Sequence, residues 1–443
     1  MNIKIDSRKI VKGDIFIAIR GNNDDGHNYI ESAINNGASL IICEKGNFSI
    51  PTIIVDDTKK YLEEYLKEKY YNEIKDIKLI GMTGTNGKTT TCYLIYQALN
   101  ISNIKCAYIG TIGFYINGEK KVLNNTTPNI YELYEMLLEC KKNNIEYVVM
   151  EVSSQGIEEG RINTLLFDYV IFSNLTQDHL DYHKTMNNYL KSKQKLFKKT
   201  RNGVAIINSD DKYYKSFLLN NKNITYGKNG DYKISDINSN ITGSSFKLNN
   251  IKYETKLIGE YNIYNISVVI ILLNLLNVSN IQNIISLLKF PPGRMDIIKY
   301  NSNNIIVDYA HTPDAVKKIL EEINKLKQNK VITIIGCGGN RDKTKRGIMG
   351  SIACNYSDYV IFTSDNPRNE DPKKIIEDII CKLDNKNYEI KINRKKAIKR
   401  GIQLLKKNDI LLLLGKGHEN YQIIKNNKIN FDDKEEVLKI IRR

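Results

Sequence analysis

The sequence has no run of about eighteen apolar residues, which is the length that a membrane-spanning helix needs. Its densest apolar stretch, residues 266–278, contains Asn274 and is too short to cross a bilayer, so we interpret it as a buried helix. Residues 1–8 are polar and lack the apolar segment of a signal peptide. These absences argue against membrane insertion and export, and we expect a cytoplasmic protein.

The sequence also lacks paired cysteines and a localised charge. The seven cysteines are odd in number, widely separated and never spaced as CxxC, which argues against disulfides and against zinc. The net charge of +16 would suit nucleic acid, an acidic membrane surface or a polyanionic small substrate. Lysine is, however, spread along the whole chain instead of being gathered in one stripe. We therefore attribute the charge to overall composition and expect no nucleic-acid partner.

Short β-branched runs alternate with longer helical patterns along the chain. A length of 443 residues favours about three domains. Apolar runs that are separated by helices are typical of parallel sheets covered on both faces, so the predicted class is α/β. The predicted strands cover residues 40–43, 52–55, 78–82, 147–150, 169–172, 204–207, 305–307, 331–335, 359–363 and 410–414.

Two changes in this pattern predict domain boundaries. The strand 78–82 ends directly in a glycine-rich turn, which places the first boundary near residue 78. Pro291-Pro292-Gly293 cannot continue the preceding helix, which places the second boundary near residue 290. Residues 221–253 are rich in Asn, Gly and Ser, and they predict a small antiparallel insertion in the central domain. The predicted domains are 1–78, 79–290 and 291–443.

A phosphate-binding loop follows the strand 78–82. That strand leads into Thr83-Gly84-Thr85-Asn86-Gly87-Lys88-Thr89-Thr90 and then into a helical pattern over residues 91–99. A strand, a glycine-rich turn and a helix start place consecutive backbone N–H groups around a phosphate. Lys88 would neutralise the β and γ oxygens of ATP, and Thr89 would reach Mg²⁺. Because Gly84 stands three residues before Gly87, the spacing departs from GxxxxGK[ST], and a turn closed by chance glycines is the alternative.

Two further polar segments follow predicted strands. Glu151 comes directly after the strand 147–150, at the carboxyl end where open α/β sheets present their ligands, and a carboxylate there can hold magnesium. The segment 173–183 follows the next strand and contains two of the five histidines, including His179, beside two aspartates. This clustering favours metal or phosphate chemistry over a purely structural role.

Lys193 is predicted to lie on the apolar side of a helix. Tyr189, Lys193 and Phe197 are four residues apart, whereas Lys191 and Lys195 point the opposite way. Lys193 must therefore snorkel, pair with a carboxylate or lose its charge. A buried lysine with a lowered pKa is nucleophilic towards CO₂, and the resulting carbamate would be an anionic oxygen ligand for a second magnesium ion. Spacing alone leaves snorkelling open.

With these segments identified, the chain resembles the Mur ligase family along essentially its whole length. The resemblance implies three α/β domains: an amino-terminal UDP-sugar-binding domain, a central P-loop ATPase domain, and a Rossmann-like carboxyl-terminal domain that binds the incoming amino acid. It rests on the number, order and spacing of short motifs, at residues 6–8, 13–16, 25–27, 83–90, 125–128, 151–154, 178–183, 189–197, 259–265, 292–295 and 308–313.

The resemblance also implies roles for individual residues. The implied catalytic residues are Lys88, Glu151, His179 and Lys193, and the implied magnesium ligands are Thr89, Glu151, His179 and Lys193 as its carbamate. ATP would be bound by Gly84, Thr85, Asn86, Gly87, Lys88, Thr89, Thr90, Asn265, Arg294 and Asp308. UDP-N-acetylmuramoyl-L-Ala-D-Glu would be bound by Ile5, Ser7, Asn125, Thr126, Thr127, Ser153, Glu159 and Arg161.

The sequence Asp365-Asn366-Pro367-Arg368 resembles the signature of family members that add meso-diaminopimelate. That substrate differs from lysine by a distal carboxylate, which a guanidinium can clasp with two parallel hydrogen bonds, whereas lysine would leave Arg368 unpaired. An Asn-Pro turn with an exposed arginine is the structural alternative. The resemblance assigns further residues to this site, with Glu419 suited to the distal ammonium: Arg341, Asn369, Gly415 and Glu419.

The implied reaction is ATP-dependent amide formation in peptidoglycan synthesis, through an acyl phosphate, by a monomer that uses Mg²⁺. Gln155, Glu159 and Asn340 depart from the usual family pattern; these departures concern contacts to the substrates and leave the metal ligands in place. The alternatives are a lysine-adding or folylpolyglutamate-type ligase, an inactive relative, and a basic P-loop ATPase that binds nucleic acid. Salt-sensitive binding to DNA or RNA would favour the last of these.

Overall fold

Three sheets, each covered by helices, organise the chain. The computed structural model describes residues 2–21, 24–384 and 387–442. The sheets lie within residues 3–54, 78–255 and 296–414, and a separate two-stranded hairpin follows the last of them. This arrangement confirms the predicted α/β class, and every predicted strand is present. The boundaries near residues 78 and 290 stay predictions; residue 78 is the first residue of a strand.

The amino-terminal sheet is parallel, with the strand order β1-β2-β3-β4. Neighbouring residues of a strand point to opposite faces. Phe16 and Ile41 therefore pack with the first helix, whereas Ile17 and Ile42 pack with the second helix and with the central domain. The elements are β1 (Ile3–Lys4), β2 (Ile15–Ile17), α1 (Ile30–Asn35), β3 (Leu40–Cys43), β4 (Thr52–Ile54) and α2 (Thr58–Ile74).

The central sheet has eleven strands in the order β15-β14-β13-β12-β11-β10-β5-β9-β6-β7-β8. Its first elements are β5 (Lys78–Thr83), α3 (Lys88–Ile101), β6 (Cys106–Gly110), β7 (Gly113–Ile116), β8 (Glu119–Lys121), α4 (Ile130–Lys142), β9 (Tyr147–Glu151), α5 (Ser154–Glu158), β10 (Phe167–Phe172), α6 (Leu180–His183) and α7 (Met186–Phe197). The others are β11 (Thr200–Asn208), β12 (Lys222–Gly227), β13 (Tyr232–Asn240), β14 (Gly243–Leu248), β15 (Ile251–Thr255), α8 (Glu260–Leu275) and α9 (Ile281–Leu287).

Strands β5, β6, β9, β10, β11 and β12 of this sheet run parallel. Antiparallel pairs lie at both ends, formed by β7 and β8 at one end and by β13, β14 and β15 at the other. The antiparallel set β13, β14 and β15 matches the later part of the insertion predicted at residues 221–253, and it extends the central sheet at one edge. The first part of that prediction is wrong, because β12 is a parallel strand that pairs with β11. Helix α8 is buried along most of its length, as predicted for the densest apolar stretch. Within the described residues, no helix is long and apolar enough to cross a membrane.

The carboxyl-terminal sheet has the order β16-β17-β21-β18-β19-β20, with β16 as an antiparallel edge strand. Helices α10, α11 and α12 cover one face, and α13 and α14 cover the other. The elements are β16 (Asp296–Tyr300), β17 (Asn303–Asp308), α10 (Pro313–Leu326), β18 (Val331–Ile335), α11 (Thr344–Tyr356), β19 (Tyr359–Phe362), α12 (Pro372–Ile380), β20 (Tyr388–Ile390), α13 (Arg394–Leu404), β21 (Ile410–Leu414), β22 (Tyr421–Ile424), β23 (Asn427–Asn430) and α14 (Asp433–Ile441).

A buried ion pair between Arg394 and Asp433 joins helices α13 and α14. Arg394 Nε donates to Asp433 Oδ1 at 2.7 Å and Nη2 donates to Oδ2 at 2.6 Å, and both side chains are fully buried. Asp433→Ala would leave this buried guanidinium without its carboxylate partner and with the carbonyl of Leu414 as a remaining acceptor. We therefore expect the free energy of unfolding to fall by about 3–5 kcal/mol. Urea denaturation followed by circular dichroism measures the change.

The exposed pair of Lys434 and Asp296, at 2.8 Å, provides the control for that measurement. Lys434→Ala should lower the free energy of unfolding by less than about 1 kcal/mol, because surface pairs are screened by water and salt. Equal losses in the Lys434 and Asp433 variants would contradict the assigned role of the buried pair.

Candidate active site

The strand order brings three polar loops of the central domain to one edge of the sheet. Strand β5 lies between β9 and β10, with Met82 opposite Glu151 and Thr83 opposite Phe172. Because these strands are parallel, the loops that follow them emerge side by side. The predicted phosphate loop is therefore flanked by Glu151 on one side and by the segment that begins at Ser173 on the other.

Two glycines of the phosphate loop have backbone conformations and surroundings that exclude larger residues. Gly84 and Gly87 have φ angles of +154° and +87°. A Cβ atom on Gly84 would lie 1.9 Å from Ser173 Oγ, and one on Gly87 would lie 2.8 Å from Asn265 Oδ1. Asn265 lies on α8, so the turn is packed tightly between the β10 loop and that helix. The glycines are required by this packing, which argues against a turn closed by chance.

Hydrogen bonds within the central domain hold the loop in place at the start of helix α3. The backbone N–H of Thr85 donates to the carbonyl of Asn174 at 2.8 Å, and the N–H of Asn86 donates to the Asn174 side-chain oxygen at 3.0 Å. Lys88 Nζ donates to the carbonyls of Gly84 and Thr85 at 2.8 and 2.9 Å. Burial lowers the pKa of Lys88, and the carboxylate of Glu151 opposes this effect.

Glu151 is fully buried and its carboxylate accepts four hydrogen bonds. Oε1 accepts from the hydroxyl of Tyr108 at 2.5 Å and from the backbone N–H of Thr111 at 2.9 Å. Oε2 accepts from the hydroxyls of Thr89 and Thr111 at 2.9 and 3.1 Å. This carboxylate is therefore held in one orientation beside the phosphate loop, and Tyr108 and Thr111 are contacts that the sequence analysis did not identify.

The donor set suits a magnesium ion that arrives with the nucleotide. Magnesium prefers oxygen ligands and usually keeps several waters and substrate phosphates in its coordination shell. Glu151 and Thr89 offer such oxygens beside the loop. Across residues 2–21, 24–384 and 387–442, no three His, Cys, Asp or Glu side chains are grouped as a metal site. The residues thus fit an ion that is shared with phosphate oxygens, as opposed to one enclosed by protein ligands alone.

The two histidines of the segment after β10 have different surroundings. His179 has a φ of +53°, and its Nε2 lies 3.3 Å from Asp178 Oδ2. Burial lowers the pKa of His179, and Asp178 opposes this effect. His183 is buried, and its Nε2 is 2.8 Å from the hydroxyl of Ser154 on α5. His179 lines the central cavity, whereas His183 joins α6 to α5 and has a structural contact.

Lys193 is buried on helix α7, with 1% of its surface exposed. Its Nζ donates to the carbonyl of Gly84 at 2.9 Å and lies 4.4 Å from the centre of the Tyr189 ring. Lys88 donates to the same carbonyl. Burial, and then the ammonium of Lys88, hold the pKa of Lys193 well below its usual range. Snorkelling is therefore excluded, while Lys191 and Lys195 are exposed as predicted.

The carboxyl-terminal domain contributes Arg294, Asp308 and Asp314 to the phosphate-loop side. Arg294 Nη2 donates to the hydroxyl of Thr89 at 3.3 Å. Both oxygens of Asp308 accept backbone N–H bonds at 2.8 Å, and burial raises the pKa of this carboxyl. The side-chain amide of Asn86 donates to Asp314 at 2.7 Å, a contact that the sequence analysis did not identify. The domain thus lies directly against the loop.

The residues predicted to bind the amino acid follow the carboxyl ends of β18, β19 and β21. Arg368 has a φ of +51°, is half-buried and donates to the carbonyl of Gly339 at 2.8 Å. Burial, and then the neighbouring guanidinium of Arg341, lower the pKa of Arg368. Asn366 Nδ2 donates to Glu419 Oε2 at 2.7 Å. The guanidinium groups of Arg341 and Arg368 and the carboxylate of Glu419 therefore line the same cavity. Arg368 is half-buried, which excludes the alternative of an exposed arginine in an Asn-Pro turn.

Lys416 connects Asn366, Glu419 and Tyr421, and the sequence analysis did not identify it as a site residue. Its fully buried ammonium donates to Glu419 at 3.0 Å, to the Asn366 side-chain oxygen at 3.3 Å and to the carbonyl of Tyr421 at 2.5 Å. Burial, and then Asp365, raise the pKa of Glu419. The spacing of Lys416 and Glu419, three residues apart, is the signal that could have indicated this pair.

The residues predicted to bind the UDP-linked dipeptide lie in two places, the amino-terminal domain and the region at the end of β9. Thr127 donates to the carbonyl of Glu151 at 2.9 Å and accepts from the backbone N–H of Ser153 at the same distance. The guanidinium of Arg161 donates to the carbonyl of Thr127 and pairs with Glu159. These contacts place the predicted substrate turn next to the end of β9.

One cavity of about 1000 Å³ joins these parts of the central and carboxyl-terminal domains. The predicted site residues that line it are Thr85, Asn86, Gly87, Lys88, Thr89, Thr90, Asn125, Thr126, Glu151, Ser153, Arg161, His179, Asn265, Arg294, Asp308, Arg341, Asp365, Asn366, Arg368, Gly415 and Glu419. Of the predicted residues that the structure describes, those outside the lining are Ile5, Ser7, Gly84, Thr127, Glu159, Lys193, Pro367 and Asn369. Ile5 and Ser7 lie in the amino-terminal domain.

Three family models match successive parts of the chain. They are described as Mur ligase family, catalytic domain, at residues 1–84; Mur ligase middle domain, at residues 82–273; and Mur ligase, glutamate ligase domain, at residues 293–417.

Similar proteins and structures extend over nearly the full chain. Proteins of Aquifex aeolicus and Clostridium botulinum, both named UDP-N-acetylmuramoyl-L-alanyl-D-glutamate--2,6-diaminopimelate ligase, are 42% and 41% identical, over 99% of this chain and 93% and 95% of their own lengths. A solved structure of a ligase with that name has a TM-score of 0.69 at 32% identity, covering 99% of this chain and 94% of that one. A MurF ligase from Thermotoga maritima shares the fold, with a TM-score of 0.73 at 20% identity, covering 99% of this chain and 96% of that one. The chain therefore belongs to the Mur ligase family, whose members are ATP-dependent ligases that form peptide bonds.

Proposed function

We propose that the protein joins meso-2,6-diaminopimelate to UDP-N-acetylmuramoyl-L-alanyl-D-glutamate, using ATP, in the cytoplasmic part of peptidoglycan biosynthesis. The relatives that are about 40% identical are named for this reaction. The observation that carries the proposal is the cavity that the central and carboxyl-terminal domains share. It brings the phosphate loop and buried Glu151 of the central domain together with Arg341, Arg368 and Glu419 of the carboxyl-terminal domain.

The phosphate side of the cavity activates a carboxylic acid. The loop N–H groups at the start of α3 and the ammonium of Lys88 bind the nucleotide phosphates and stabilise negative charge as the γ-phosphoryl group is transferred. The glutamyl carboxylate of the UDP-linked dipeptide attacks the γ-phosphorus, which gives an acyl phosphate and ADP. Glu151, Thr89 and His179 would hold Mg²⁺, which neutralises phosphate charge when it is bound.

The amino-acid side of the cavity supplies the nucleophile. The neutral amine of the diamino acid attacks the acyl phosphate, forms a tetrahedral intermediate and displaces inorganic phosphate, which leaves an amide. Arg368 and Arg341 are suited to the distal carboxylate, and Glu419 with Asp365 to the distal ammonium. Arg294 and Asp314 keep the carboxyl-terminal domain against the loop, which limits access of water to the acyl phosphate.

ADP release from the purified protein tests the proposal. We expect ADP to form only when the UDP-linked dipeptide and meso-diaminopimelate are both present with ATP and magnesium, and we expect an amide product by mass spectrometry. Replacing diaminopimelate with L-lysine should leave little activity. ADP release without the dipeptide, together with salt-sensitive binding to nucleic acid, would instead favour a basic ATPase. Equal use of both amino acids would favour a less selective ligase.

We further propose that Lys193 carries a carbamate that contributes an oxygen ligand for a second magnesium ion. In this step the neutral amine adds CO₂ and loses a proton, which leaves an N-carboxylate. Its burial and its nearness to Lys88 both favour the neutral amine that this addition needs.

Carbon-13 NMR after equilibration with labelled bicarbonate measures the modification. We expect a carbamate carbon signal in the protein without substitutions and none in Lys193→Met. Lys195→Met is the matched control, because Lys195 lies on the same helix and is exposed. The signal should persist in Lys195→Met, because Lys195 is exposed and its ammonium pairs with Glu158. A signal of equal strength in the Lys193 and Lys195 variants would contradict the assignment.

A further inference from the structure

The hydroxyl of Tyr108 reaches a carboxylate that belongs to a different strand. Tyr108 lies on β6, which pairs with β9, and its side chain is fully buried. Its hydroxyl donates to Glu151 Oε1 at 2.5 Å. The carboxylate is the group that the proposed function assigns to the cation accompanying ATP. Tyr108 itself does not line the cavity within the described residues, so it can act on the reaction only through Glu151.

The surroundings of Tyr108 fix the position of this hydroxyl. The rings of Tyr93, Tyr96 and Tyr115 lie 5.9, 6.5 and 5.8 Å from the Tyr108 ring, centre to centre, and hold it by tilted and edge contacts. A Cβ atom on Gly110 would lie 2.4 Å from the Tyr108 hydroxyl and 2.3 Å from Glu151 Oε1. Glycine at this position therefore leaves the gap in which the hydrogen bond forms.

The four donors divide unequally between the two oxygens of Glu151. Oε1 is held by the buried Tyr108 hydroxyl and by the backbone N–H of Thr111, and neither of these donors can turn away without moving a strand or a packed ring. Oε2 is held by the hydroxyls of Thr89 and Thr111, whose O–H protons can turn to another acceptor, and both residues line the cavity. The Thr111 hydroxyl already has such an acceptor in the Thr126 hydroxyl, 3.1 Å away. Oε2 is therefore the oxygen that can exchange a donor for a cation.

We infer that Tyr108 is a positioning residue, whose hydroxyl fixes Oε1 so that Glu151 presents Oε2 to the cation bound with the nucleotide. Hydrogen bonds from outside the ligand shell orient carboxylate ligands and support their affinity for metal. The inference depends on the proposed function for the presence of a magnesium-bound nucleotide in the cavity. The inference predicts that loss of the Tyr108 hydroxyl weakens nucleotide binding in the presence of Mg²⁺ and leaves nucleotide binding without metal unchanged.

Isothermal titration calorimetry of ADP binding to the full-length protein, with and without Mg²⁺, tests the inference. We expect Tyr108→Phe to bind metal-free ADP as the unchanged sequence does. The gain, meaning the factor by which Mg²⁺ raises the affinity for ADP, should be about 10-fold smaller in this variant. Gly110→Ala places a methyl group against both the Tyr108 hydroxyl and Glu151 Oε1, so it should lose at least as much of the gain. Tyr93→Phe is the matched control, because that hydroxyl belongs to the same ring cluster and makes no hydrogen bond to Glu151. It should keep the full gain.

A double-mutant cycle shows whether Tyr108 acts through Glu151. In the Glu151→Gln background, Tyr108→Phe should have no additional effect on the Mg²⁺-dependent gain. An undiminished gain in Tyr108→Phe, whatever Gly110→Ala does, or a full additional loss in the Glu151→Gln background, would overturn the inference. Binding is measured apart from ligation, so a protein that shows the expected binding changes without amide formation would reject the proposed function and keep the role of Tyr108.

Discussion

Lys88→Met should lower the rate of ADP formation by about 10³-fold at saturating ATP, with both other substrates present. The ammonium of Lys88 lies at the start of helix α3, where the loop N–H groups and the helix dipole already favour an anion. The transferred phosphoryl group gains charge on its outer oxygens, and a fixed cation at this place stabilises that charge without reorganisation. Methionine is also unbranched and is one atom shorter, so it removes the ammonium and keeps the rest of the side chain.

Loop geometry has to be separated from charge in this experiment, because Lys88 Nζ also bonds the carbonyls of Gly84 and Thr85. Lys88→Arg retains the charge and serves as the first control. Lys191→Met, an exposed lysine on α7, serves as the second and should keep full activity. A Lys88→Met rate within tenfold of the unchanged sequence would remove Lys88 from the proposed mechanism.

The same substitution should change Lys193. The ammonium of Lys88 is one cause of the lowered pKa of Lys193, and the two groups donate to one carbonyl. Removing the positive charge of Lys88 raises the pKa of Lys193, which increases the charged fraction of its amine at a given pH. Since only the neutral amine adds CO₂, Lys88→Met should weaken the labelled carbamate signal and shift its appearance to higher pH.

The sequence predicts the local parts of this site well because they depend on short-range geometry. The order of strand, turn and helix around residues 78–101 follows from the apolar run and the glycines, and the burial of Lys193 follows from its helical spacing. Strand β11 begins at Thr200, earlier than predicted, because its first residues are polar and pair with β10 through an irregular register.

Contacts between distant segments could not be predicted in the same way. Tyr108 and Glu151 meet because β6 and β9 are neighbours in the sheet, although β7, β8 and α4 separate them in sequence. Asn86 and Asp314 are 228 residues apart, one in the loop after β5 and the other in helix α10. No periodicity or motif spacing encodes such pairings, since they arise from strand order and from the way the domains lie against each other.

Arg368→Ala should reduce kcat/KM for meso-diaminopimelate by about 10³-fold, because it removes the partner of a charged group in a partly buried site. Use of L-lysine should change little, since lysine has no distal carboxylate to lose a partner. The selectivity between the two amino acids should therefore nearly disappear. Burial and the guanidinium of Arg341 both disfavour the charge of Arg368, so a bound carboxylate relieves the repulsion between the two arginines.

The backbone around Arg368 indicates how the side chain is aimed. Its φ of +51° is uncommon for a residue with a side chain, and it is held by hydrogen bonds with strand β22 and the turn after it, from Arg368 N to Ile423 O at 3.0 Å and from Lys425 N to Arg368 O at 2.7 Å. Arg368→Lys keeps the charge and loses the planar pair of donors, so it should fall between Arg368→Ala and the unchanged sequence. Parallel losses with both amino acids would instead mean that Arg368 supports the loop and does not read the distal carboxylate.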